Sequence, residues 1–310
     1  MRAATVPDEQ WLADIGPVEG VDLLAWDMSE PLDNPAVGYA VHPYLTPAAR
    51  VGHTTGCAPD LTVQLLTAGF DAHVGHLRPG VALANAAGVH DTATAELAVT
   101  LVLASMRGIP ESVRAQDRGE WLPLRIWPSL ADSKVLLIGY GRIGRAIAAR
   151  LAPFEVSLTA VASTRRAGDE WVPRVWGVDD LPGLLPTHDV VIVIVPLTET
   201  TRGLVDARLL AAMPDGALLV NVARGPVVDT DALLAELTSG RLRAALDVTD
   251  PEPLPAGHPL WSAPGLLVTP HVGGASEAFR PRAVRFLREQ LRRYAAGQPL
   301  DHIVFAAGRV

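Results

Sequence analysis

The first residues that could do chemistry are three glycines between an apolar run and a helical pattern. Gly139, Gly141 and Gly144 have the GxGxxG spacing. They follow the apolar run Val135–Ile138 and lead into the helical pattern of Ile143–Leu151. At this spacing the first glycine makes a tight turn, the second lets the backbone approach a pyrophosphate, and the third lets helix and strand pack closely. The free N–H groups and the positive dipole end of the helix would hold the phosphates. The pattern therefore predicts a dinucleotide site, and the alternative is a glycine-rich turn without a ligand.

The next strand, Ser157–Ala162, ends without an acidic residue. In NAD sites an Asp or Glu about 20 residues beyond the glycines accepts hydrogen bonds from the ribose 2′-hydroxyl. Two hydroxyls and two arginines stand in that place here, namely Ser163, Thr164, Arg165 and Arg166. Because an acid there would repel a 2′-phosphate whereas arginines would bind one, the segment predicts a preference for NADP(H), with NAD(H) also possible. The alternative is a solvated pair of surface arginines.

Three more residues that could do chemistry follow apolar runs that we interpret as parallel strands. Arg224, Asp247 and His271 each lie at or just past the end of such a run. Open α/β sheets bind their ligands beyond the carboxyl ends of the strands, so these side chains are candidates for one site. Taken singly, Arg224 is also typical of a residue in a surface ion pair, and His271 is also typical of a capping residue.

The elements that must position these residues alternate between strands and helices, which is the pattern of an α/β protein. The candidate strands are Ala3–Val6, Val21–Trp26, Val37–Val41, Leu61–Thr67, Val81–Asn85, Val135–Ile138, Ser157–Ala162, Val190–Val195, Leu218–Val222, Arg243–Val248 and Gly265–Thr269. The candidate helices are Glu9–Ile15, Thr92–Met106 with Asp91 as its N-cap, Ile143–Leu151, Thr230–Thr238 and Pro281–Ala296. Arg107–Leu130 is polar and irregular, and its Trp121 and Trp127 suggest either a subunit interface or cover for their own domain.

Composition limits the class of protein. The chain has 310 residues, 49% hydrophobic and 19% charged, which allows two domains with substantial cores. Its net charge of −8 argues against binding to nucleic acid or to an anionic membrane. Cys57 is the only cysteine, so neither an internal disulfide nor a cysteine zinc site is expected. No apolar run is long enough for a bilayer and no signal peptide is evident, so we expect a cytoplasmic protein.

Along nearly its whole length the chain resembles the D-isomer-specific 2-hydroxyacid dehydrogenase family. The resemblance rests on the glycine turn and on four segments in the family's order, namely Asp189–Asp206, Leu218–Asp229, Leu242–Pro255 and Val268–Ser276. It implies two Rossmann-like domains with doubly wound parallel sheets. One would be a flavodoxin-like substrate-binding (catalytic) domain of 1–90 plus 281–310, and the other an NAD(P)-binding Rossmann domain of 91–280. The resemblance also implies a cleft that closes over the substrate and a homodimer joined through roughly 91–130.

The resemblance assigns roles to the residues that would carry the reaction. Arg224 would clamp the substrate carboxylate and polarise its carbonyl, which suits the planar guanidinium. His271 would be the general acid/base, and Glu252 the carboxylate that holds it. Reduction of a 2-oxo acid needs a proton at the carbonyl oxygen, and a histidine beside a carboxylate can supply one. Ala68 and Gly69 match a turn whose backbone N–H groups help to bind substrate.

The resemblance also places a larger set of residues against the cofactor. Asp247 would contact the nicotinamide carboxamide, and the glycine turn would hold the pyrophosphate. The complete expected set is Gly139, Gly141, Arg142, Ile143, Gly144, Ser163, Thr164, Arg165, Arg166, Pro196, Thr201, Val222, Ala223, Asp247, Gly273 and Gly274. No metal is expected.

The net charge of residues 1–90 indicates which kind of substrate the protein binds. Residues 1–90 contain ten carboxylates and three arginines, and a phosphorylated substrate would need more positive charge there. Together with the NADP-type strand end, this predicts reduction of a small unphosphorylated 2-oxo acid, such as glyoxylate, hydroxypyruvate or pyruvate, to the D-2-hydroxy acid. The alternatives are an NAD-dependent enzyme like D-3-phosphoglycerate dehydrogenase and a non-catalytic dinucleotide-sensing scaffold.

Overall fold

The computed structural model describes residues 1–306, and short strands alternate with helices along most of them. These residues form fourteen strands: β1 (Arg2–Val6), β2 (Val21–Ala25), β3 (Val37–Val41), β4 (Thr62–Gln64), β5 (Ala82–Ala84), β6 (Lys134–Ile138), β7 (Ser157–Ala162), β8 (Arg166–Ala167), β9 (Arg174–Gly177), β10 (Val190–Val193), β11 (Leu218–Asn221), β12 (Arg243–Leu246), β13 (Leu266–Val268) and β14 (Ile303–Phe305). The same residues form eight α-helices: α1 (Glu9–Ile15), α2 (Asp91–Met106), α3 (Ile109–Asp117), α4 (Arg142–Leu151), α5 (Leu181–Leu184), α6 (Ala207–Ala212), α7 (Thr230–Thr238) and α8 (Phe279–Ala296).

The chain divides into two compact units. The first unit contains Met1–His90 and the segment that begins at Ser276, and the second contains Asp91–Ala275. Residues 307–310, with which the expected substrate-binding domain ends, lie outside the described residues. Each unit is built around one sheet with its own buried clusters of apolar side chains.

The sheet of the first unit has the strand order β14-β5-β4-β3-β1-β2. The five strands from β5 to β2 are parallel, and β14 is antiparallel to β5. Without β14, this is the flavodoxin-like order, in which the chain winds from the first strand to both sides. Helix α8 returns to this unit and buries Ala283, Leu287 and Leu291 against it.

The sheet of the second unit has the order β13-β12-β11-β10-β6-β7-β9-β8, and all neighbours are parallel except β8 and β9. This is the Rossmann order with one extra strand at each edge.

Strand β10 shows why the apolar runs are continuous. Val191 and Val193 pack into one cluster, whereas Val190 and Ile192 pack into the cluster on the opposite face. Both faces are covered, so every residue of the strand is apolar. The expected fold class is confirmed.

Several local expectations were wrong. Arg107–Leu130 is not irregular throughout, because helix α3 occupies part of it. Gly108 has φ 62° and Pro110 lies in the first turn of α3, so a new helix begins directly after α2. The hairpin of β8 and β9 and the edge strand β14 were not expected at all. The last helix begins at Phe279 rather than Pro281, and Asp91 is the first residue of α2 rather than its cap.

Among residues 1–306 no single helix has the length and apolar character to cross a membrane. One pair, α2 with α3, meets these criteria jointly, with a bend of 68° between the two helices.

Candidate active site and dinucleotide-binding turn

Four polar residues of the second unit follow three neighbouring strands. Arg224 comes after β11, Asp247 and Glu252 come after β12, and His271 comes after β13. These strands are adjacent and parallel, so their carboxyl ends lie along one edge of the sheet. The structure thus places the strand-end residues where the sequence predicted them.

His271 and Glu252 form a direct pair, in which His271 Nδ1 lies 2.5 Å from Glu252 Oε1. Burial alone would raise the pKa of Glu252. The hydrogen bond and charge of His271, a backbone hydrogen bond at Thr249 and the charge of Arg224 outweigh it, so the pKa of Glu252 lies below its usual value. Glu252 is therefore ionised at neutral pH and can only accept a hydrogen bond. It follows that Nδ1 carries the proton of the pair, which leaves Nε2 to exchange a proton with another molecule.

The backbone of His271 is held in the left-handed region, with φ 52°. Histidine occurs there more often than most residues, but the conformation is still uncommon and has to be maintained by its surroundings. The N–H of His271 donates to the carbonyl oxygens of Asp247 at 2.8 Å and Thr269 at 3.0 Å. These two bonds close the turn that presents the imidazole.

The carboxylate of Asp247 organises the same turn. Asp247 is 3% exposed, and its oxygens accept hydrogen bonds from the Thr269 hydroxyl at 2.6 Å and from the backbone N–H groups of Val272 and Gly273, each at 2.9 Å. A Cβ at Gly273 would lie 3.0 Å from this carboxylate, so glycine fits the turn best. The sequence suggested only a cofactor contact for Asp247. Its role in holding the His271 turn was missed.

Arg224 is positioned by a buried amide. Asn221, at the end of β11, donates from its side chain to the Arg224 carbonyl at 3.0 Å and accepts from the Ala223 N–H at 3.0 Å. The Nη1 of Arg224 donates to the Ala223 carbonyl at 2.8 Å. At Gly225 a Cβ would collide with the Thr249 carbonyl, so the absence of a side chain lets the two strand-end loops approach. The sequence signal for Asn221, a polar residue at the end of an apolar strand, was missed.

The glycine turn has the geometry that a pyrophosphate requires. Gly139 has φ 113°, and a Cβ on it would collide with the Ile194 carbonyl beyond β10. A Cβ on Gly144 would collide with the Gly139 carbonyl, so α4 and β6 can pack closely only with glycine there. In contrast, a Cβ on Gly141 would meet nothing within 4 Å. The residues therefore fit a dinucleotide, since the outer side of the turn is open beside the N-terminus of α4.

Helix α2 touches both halves of the site. The Oδ2 of Asp91 lies 2.9 Å from Nε of Arg142, which is the first residue of α4. One turn further along, the Thr94 hydroxyl donates to the Gly273 carbonyl at 3.2 Å. The beginning of α2 is thus bonded both to the helix after the glycine turn and to the turn that carries His271. No local pattern in the sequence indicates either contact.

The remaining expected cofactor residues lie at the same edge of the sheet or close to it. Thr201 donates from its hydroxyl to the Pro196 carbonyl at 2.6 Å, which closes the loop after β10. Val222 and Ala223 are buried directly after β11. Ile143 packs partly buried in the first turn of α4, and Gly274 follows Gly273 in the His271 turn.

The two arginines that follow β7 have different hydrogen-bond partners. Arg165 makes two hydrogen bonds to Asp180, at 2.8 and 2.7 Å. Arg166 lies in β8 and donates from Nη2 to the Tyr140 carbonyl at 2.6 Å. Ser163 and Thr164 are exposed between β7 and β8.

Ala68 and Gly69 belong to the first unit, in the segment after β4. The Asn85 side chain donates to the Ala68 carbonyl at 2.7 Å, and the Thr67 hydroxyl donates to the Gly69 carbonyl at 2.7 Å. Both carbonyls of the turn are thereby bound within the unit. In the described part of the chain, no three His, Cys, Asp or Glu side chains are grouped so that they could hold a metal ion.

Residues 99–273 match the family model described as "D-isomer specific 2-hydroxyacid dehydrogenase, NAD binding domain". A glyoxylate reductase from Thermofilum pendens is 36% identical over 76% of this chain and 72% of its own length. A D-3-phosphoglycerate dehydrogenase from Methanocaldococcus jannaschii is 32% identical over 73% of this chain, which corresponds to 43% of its own length.

Solved structures match nearly the whole chain. A D-isomer specific 2-hydroxyacid dehydrogenase from Xanthobacter autotrophicus, in complex with NADPH and MES, has 32% identity and a TM-score of 0.81, and the match covers 98% of both chains. An NADPH-dependent glyoxylate/hydroxypyruvate reductase from Sinorhizobium meliloti, in complex with NADP and sulfate, has 28% identity and a TM-score of 0.80, again over 98% of both chains.

Removal of the Asp247 carboxylate should destabilise the protein strongly. In Asp247→Ala, two backbone N–H groups and one hydroxyl lose their acceptor, and each group left unsatisfied and buried costs about 1–3 kcal/mol. We expect the free energy of unfolding to fall by about 2–5 kcal/mol, whereas Thr269→Val, which removes one of the three bonds, should cost about 1 kcal/mol. Urea unfolding of both variants measures this difference. Equal stability of the two variants would show that Asp247 does not organise the turn.

Proposed function

Because the chain belongs to the D-isomer-specific 2-hydroxyacid dehydrogenase family, whose members are NAD(P)-dependent, we propose that it reduces a small 2-oxo acid with NADPH. The product would be the D-2-hydroxy acid. The observation that supports this most directly is the pair of His271 and the ionised Glu252, which lies close enough to Arg224 for the arginine to lower the pKa of Glu252.

Each residue of this group has a distinct task in the proposed reaction. Arg224 binds the substrate carboxylate with its planar guanidinium and polarises the adjacent carbonyl. His271 gives a proton from Nε2 to the carbonyl oxygen, and Glu252 fixes the orientation of the ring. The nicotinamide, when bound, supplies the hydride that the carbonyl carbon requires. Substrate binding by the backbone N–H groups of Ala68 and Gly69 stays a prediction from the family resemblance.

The cofactor would be held by the carboxyl edge of the second sheet. Gly139, Gly141 and Gly144 with Arg142 and Ile143 would bind the pyrophosphate. The other residues in contact would be Pro196, Thr201, Val222, Ala223, Asp247, Gly273 and Gly274. Ser163, Thr164, Arg165 and Arg166 would favour a 2′-phosphate, since no carboxylate ends β7. The neighbours with NADPH and NADP support this preference.

We place glyoxylate, hydroxypyruvate and pyruvate first among the substrates. The similar glyoxylate and hydroxypyruvate reductases support this choice, as does the acidic composition of residues 1–90. The second candidate is oxidation of D-3-phosphoglycerate with NAD, because a phosphoglycerate dehydrogenase is also similar to this chain. A cytoplasmic location stays a prediction from the sequence.

We propose that the protein is a homodimer joined through the segment 91–130. After α3 the chain forms no regular element until β6, and Trp121, Leu124 and Ile126 in this stretch are 100%, 101% and 95% exposed. Large apolar side chains exposed so completely and so close together mark an interaction surface. A second copy of the chain would bury them.

The substrate prediction is tested by following NADPH and NADH consumption with a panel of 2-oxo acids. We expect the highest kcat/KM with NADPH and one of glyoxylate, hydroxypyruvate or pyruvate. A higher kcat/KM for 3-phosphohydroxypyruvate with NADH would support the phosphoglycerate alternative. Equal or better use of NADH with the small acids would refute the cofactor preference, and no turnover of any acid would indicate a scaffold.

His271→Ala should lower kcat by roughly 10²–10⁴, because general acid catalysis contributes about that factor. KM for the 2-oxo acid should change little, since the proton is transferred only in the transition state. Glu252→Gln keeps a hydrogen-bonding group but removes the charge, so its loss should be smaller. His302→Asn, which changes an exposed histidine of the first unit, serves as the control. Near-wild-type turnover of His271→Ala would refute the assignment.

The dimer prediction is tested by light scattering. The triple variant Trp121→Asp, Leu124→Asp and Ile126→Asp should have the mass of a monomer, because buried charges would oppose association. Trp261→Ser removes a different exposed tryptophan, 57% exposed, and should leave the mass unchanged. A wild-type monomer, or a dimer that survives the triple substitution, would contradict the proposal.

A further inference from the structure

We propose that Arg166, rather than Arg165, recognises the 2′-phosphate of NADPH, and that Tyr140 and Asp169 are positioning residues that hold Arg166 beside the glycine turn. The inference rests on the proposed use of NADPH. It goes further by assigning different tasks to two adjacent arginines that the sequence treats alike. It also adds two residues for which neither the sequence nor the family resemblance suggested a role.

Arg165 is engaged by a carboxylate of its own unit. Asp180 accepts two hydrogen bonds from its guanidinium and a third, at 2.9 Å, from the Gly177 N–H. The hydrogen bond from Arg165 is the largest of the influences that lower the pKa of Asp180, so the pair is charged at neutral pH. A Cβ on Gly177 would lie 3.2 Å from Arg165 Cγ, so the arginine side chain rests on this glycine. A phosphate that approached Arg165 would also meet the negative charge of Asp180.

Arg166 points in a different direction, towards the glycine turn. Its Nη2 donates to the carbonyl of Tyr140, which lies between Gly139 and Gly141 in that turn. The partner is a neutral carbonyl, so it does not cancel the charge of the guanidinium. One hydrogen bond occupies one of five N–H donors, and the others can serve a phosphate. The guanidinium of Arg166 therefore lies beside the turn where the pyrophosphate is expected.

Asp169 fastens the hairpin that carries Arg166. It lies in the connection between β8 and β9 and accepts the Tyr140 hydroxyl at 2.7 Å on one oxygen. Its other oxygen lies 2.8 Å from Nε of Arg145 in α4. The N–H groups of Trp171 and Val172 also donate to it, at 3.1 and 3.2 Å. The connection is thereby bonded to both the glycine turn and the helix that follows it.

This attachment matters because β8 has two residues and lies at the edge of the sheet. So short a strand contributes little to its own position. The Tyr140 ring is 3% exposed and belongs to the apolar core, so it provides a rigid support for both bonds. Tyr140 thus holds Arg166 through its carbonyl and the rest of the hairpin through its hydroxyl. Loss of the hydroxyl should loosen Arg166, while the aromatic ring that packs in the core is retained.

The test measures binding of 2′,5′-ADP (adenosine 2′,5′-bisphosphate) and of 5′-AMP by calorimetry, without substrate. The two nucleotides differ only in the 2′-phosphate, which 5′-AMP lacks. Arg166→Gln should raise the Kd of 2′,5′-ADP about 10- to 100-fold, as expected for lost charge-assisted hydrogen bonds, and leave the Kd of 5′-AMP unchanged. Arg165→Gln should have a clearly smaller effect. Arg208→Gln, which changes an exposed arginine of α6, controls for net charge.

The positioning role is tested with Tyr140→Phe and Asp169→Asn. Both should weaken the binding of 2′,5′-ADP several-fold and leave the binding of 5′-AMP unchanged, whereas general damage to the fold would weaken the binding of both nucleotides. Combined with Arg166→Gln, Tyr140→Phe should have no further effect, because it acts through that arginine. Thermal unfolding confirms that the variants are folded.

The inference is overturned if Arg165→Gln raises the Kd of 2′,5′-ADP more than Arg166→Gln does. It is also overturned if Tyr140→Phe weakens the binding of both nucleotides equally, or if the effect of Tyr140→Phe adds to that of Arg166→Gln. These results are independent of the proposed function. Faster reduction with NADH would refute the NADPH preference even if Arg166 bound the 2′-phosphate. Conversely, an NADPH-dependent enzyme that is unaffected by Arg166→Gln would refute the inference alone.

Discussion

The candidate site depends on one buried carboxylate. A carboxyl group out of water is unfavourable unless hydrogen bonds replace its hydration, and Asp247 receives three, all from the turn that follows β13. The same bonds that satisfy Asp247 fix the turn with His271 in a left-handed conformation. Because the backbone is fixed there, the ring meets Glu252 with Nδ1 and leaves Nε2 for a substrate. The stability of the fold and the geometry of the proposed proton donor thus rest on one set of contacts.

The parallel sheet supplies the second constraint. Adjacent parallel strands end at the same edge, so residues far apart in the sequence meet there without any direct sequence signal. Helix α2 strengthens this arrangement, since Asp91 bonds to the start of α4 and Thr94 bonds to the His271 turn. The glycine turn and the proposed proton donor are therefore connected through one helix as well as through the sheet. A substitution at Thr94 or Asp91 would therefore affect both the glycine turn and the turn that carries His271.

Much of the fold and the placement of the candidate site could be predicted from the sequence. Apolar runs such as Val190–Val193 and the glycine spacing have local signals, because burial on two faces and a φ of 113° at Gly139 each demand particular residue types. The partner of Arg165 and the hydrogen bonds of Asp169 could not be predicted, since both depend on which side chains the tertiary structure brings together. Helix α3 was missed because it buries only Ala115, so its nine residues contain no run of apolar positions to mark it. The catalytic and cofactor roles stay predictions.

Glu252 holds His271 with the ring proton on Nδ1, which leaves Nε2 for the proposed proton transfer. Nitrogen-15 NMR of the imidazole side chains reports directly which ring nitrogen carries the proton. The structure predicts that Nδ1 of His271 is protonated at neutral pH, and that Glu252→Gln removes this preference while Arg224→Gln preserves it. An unprotonated Nδ1 in the wild-type protein, with the proton on Nε2, would contradict the claim.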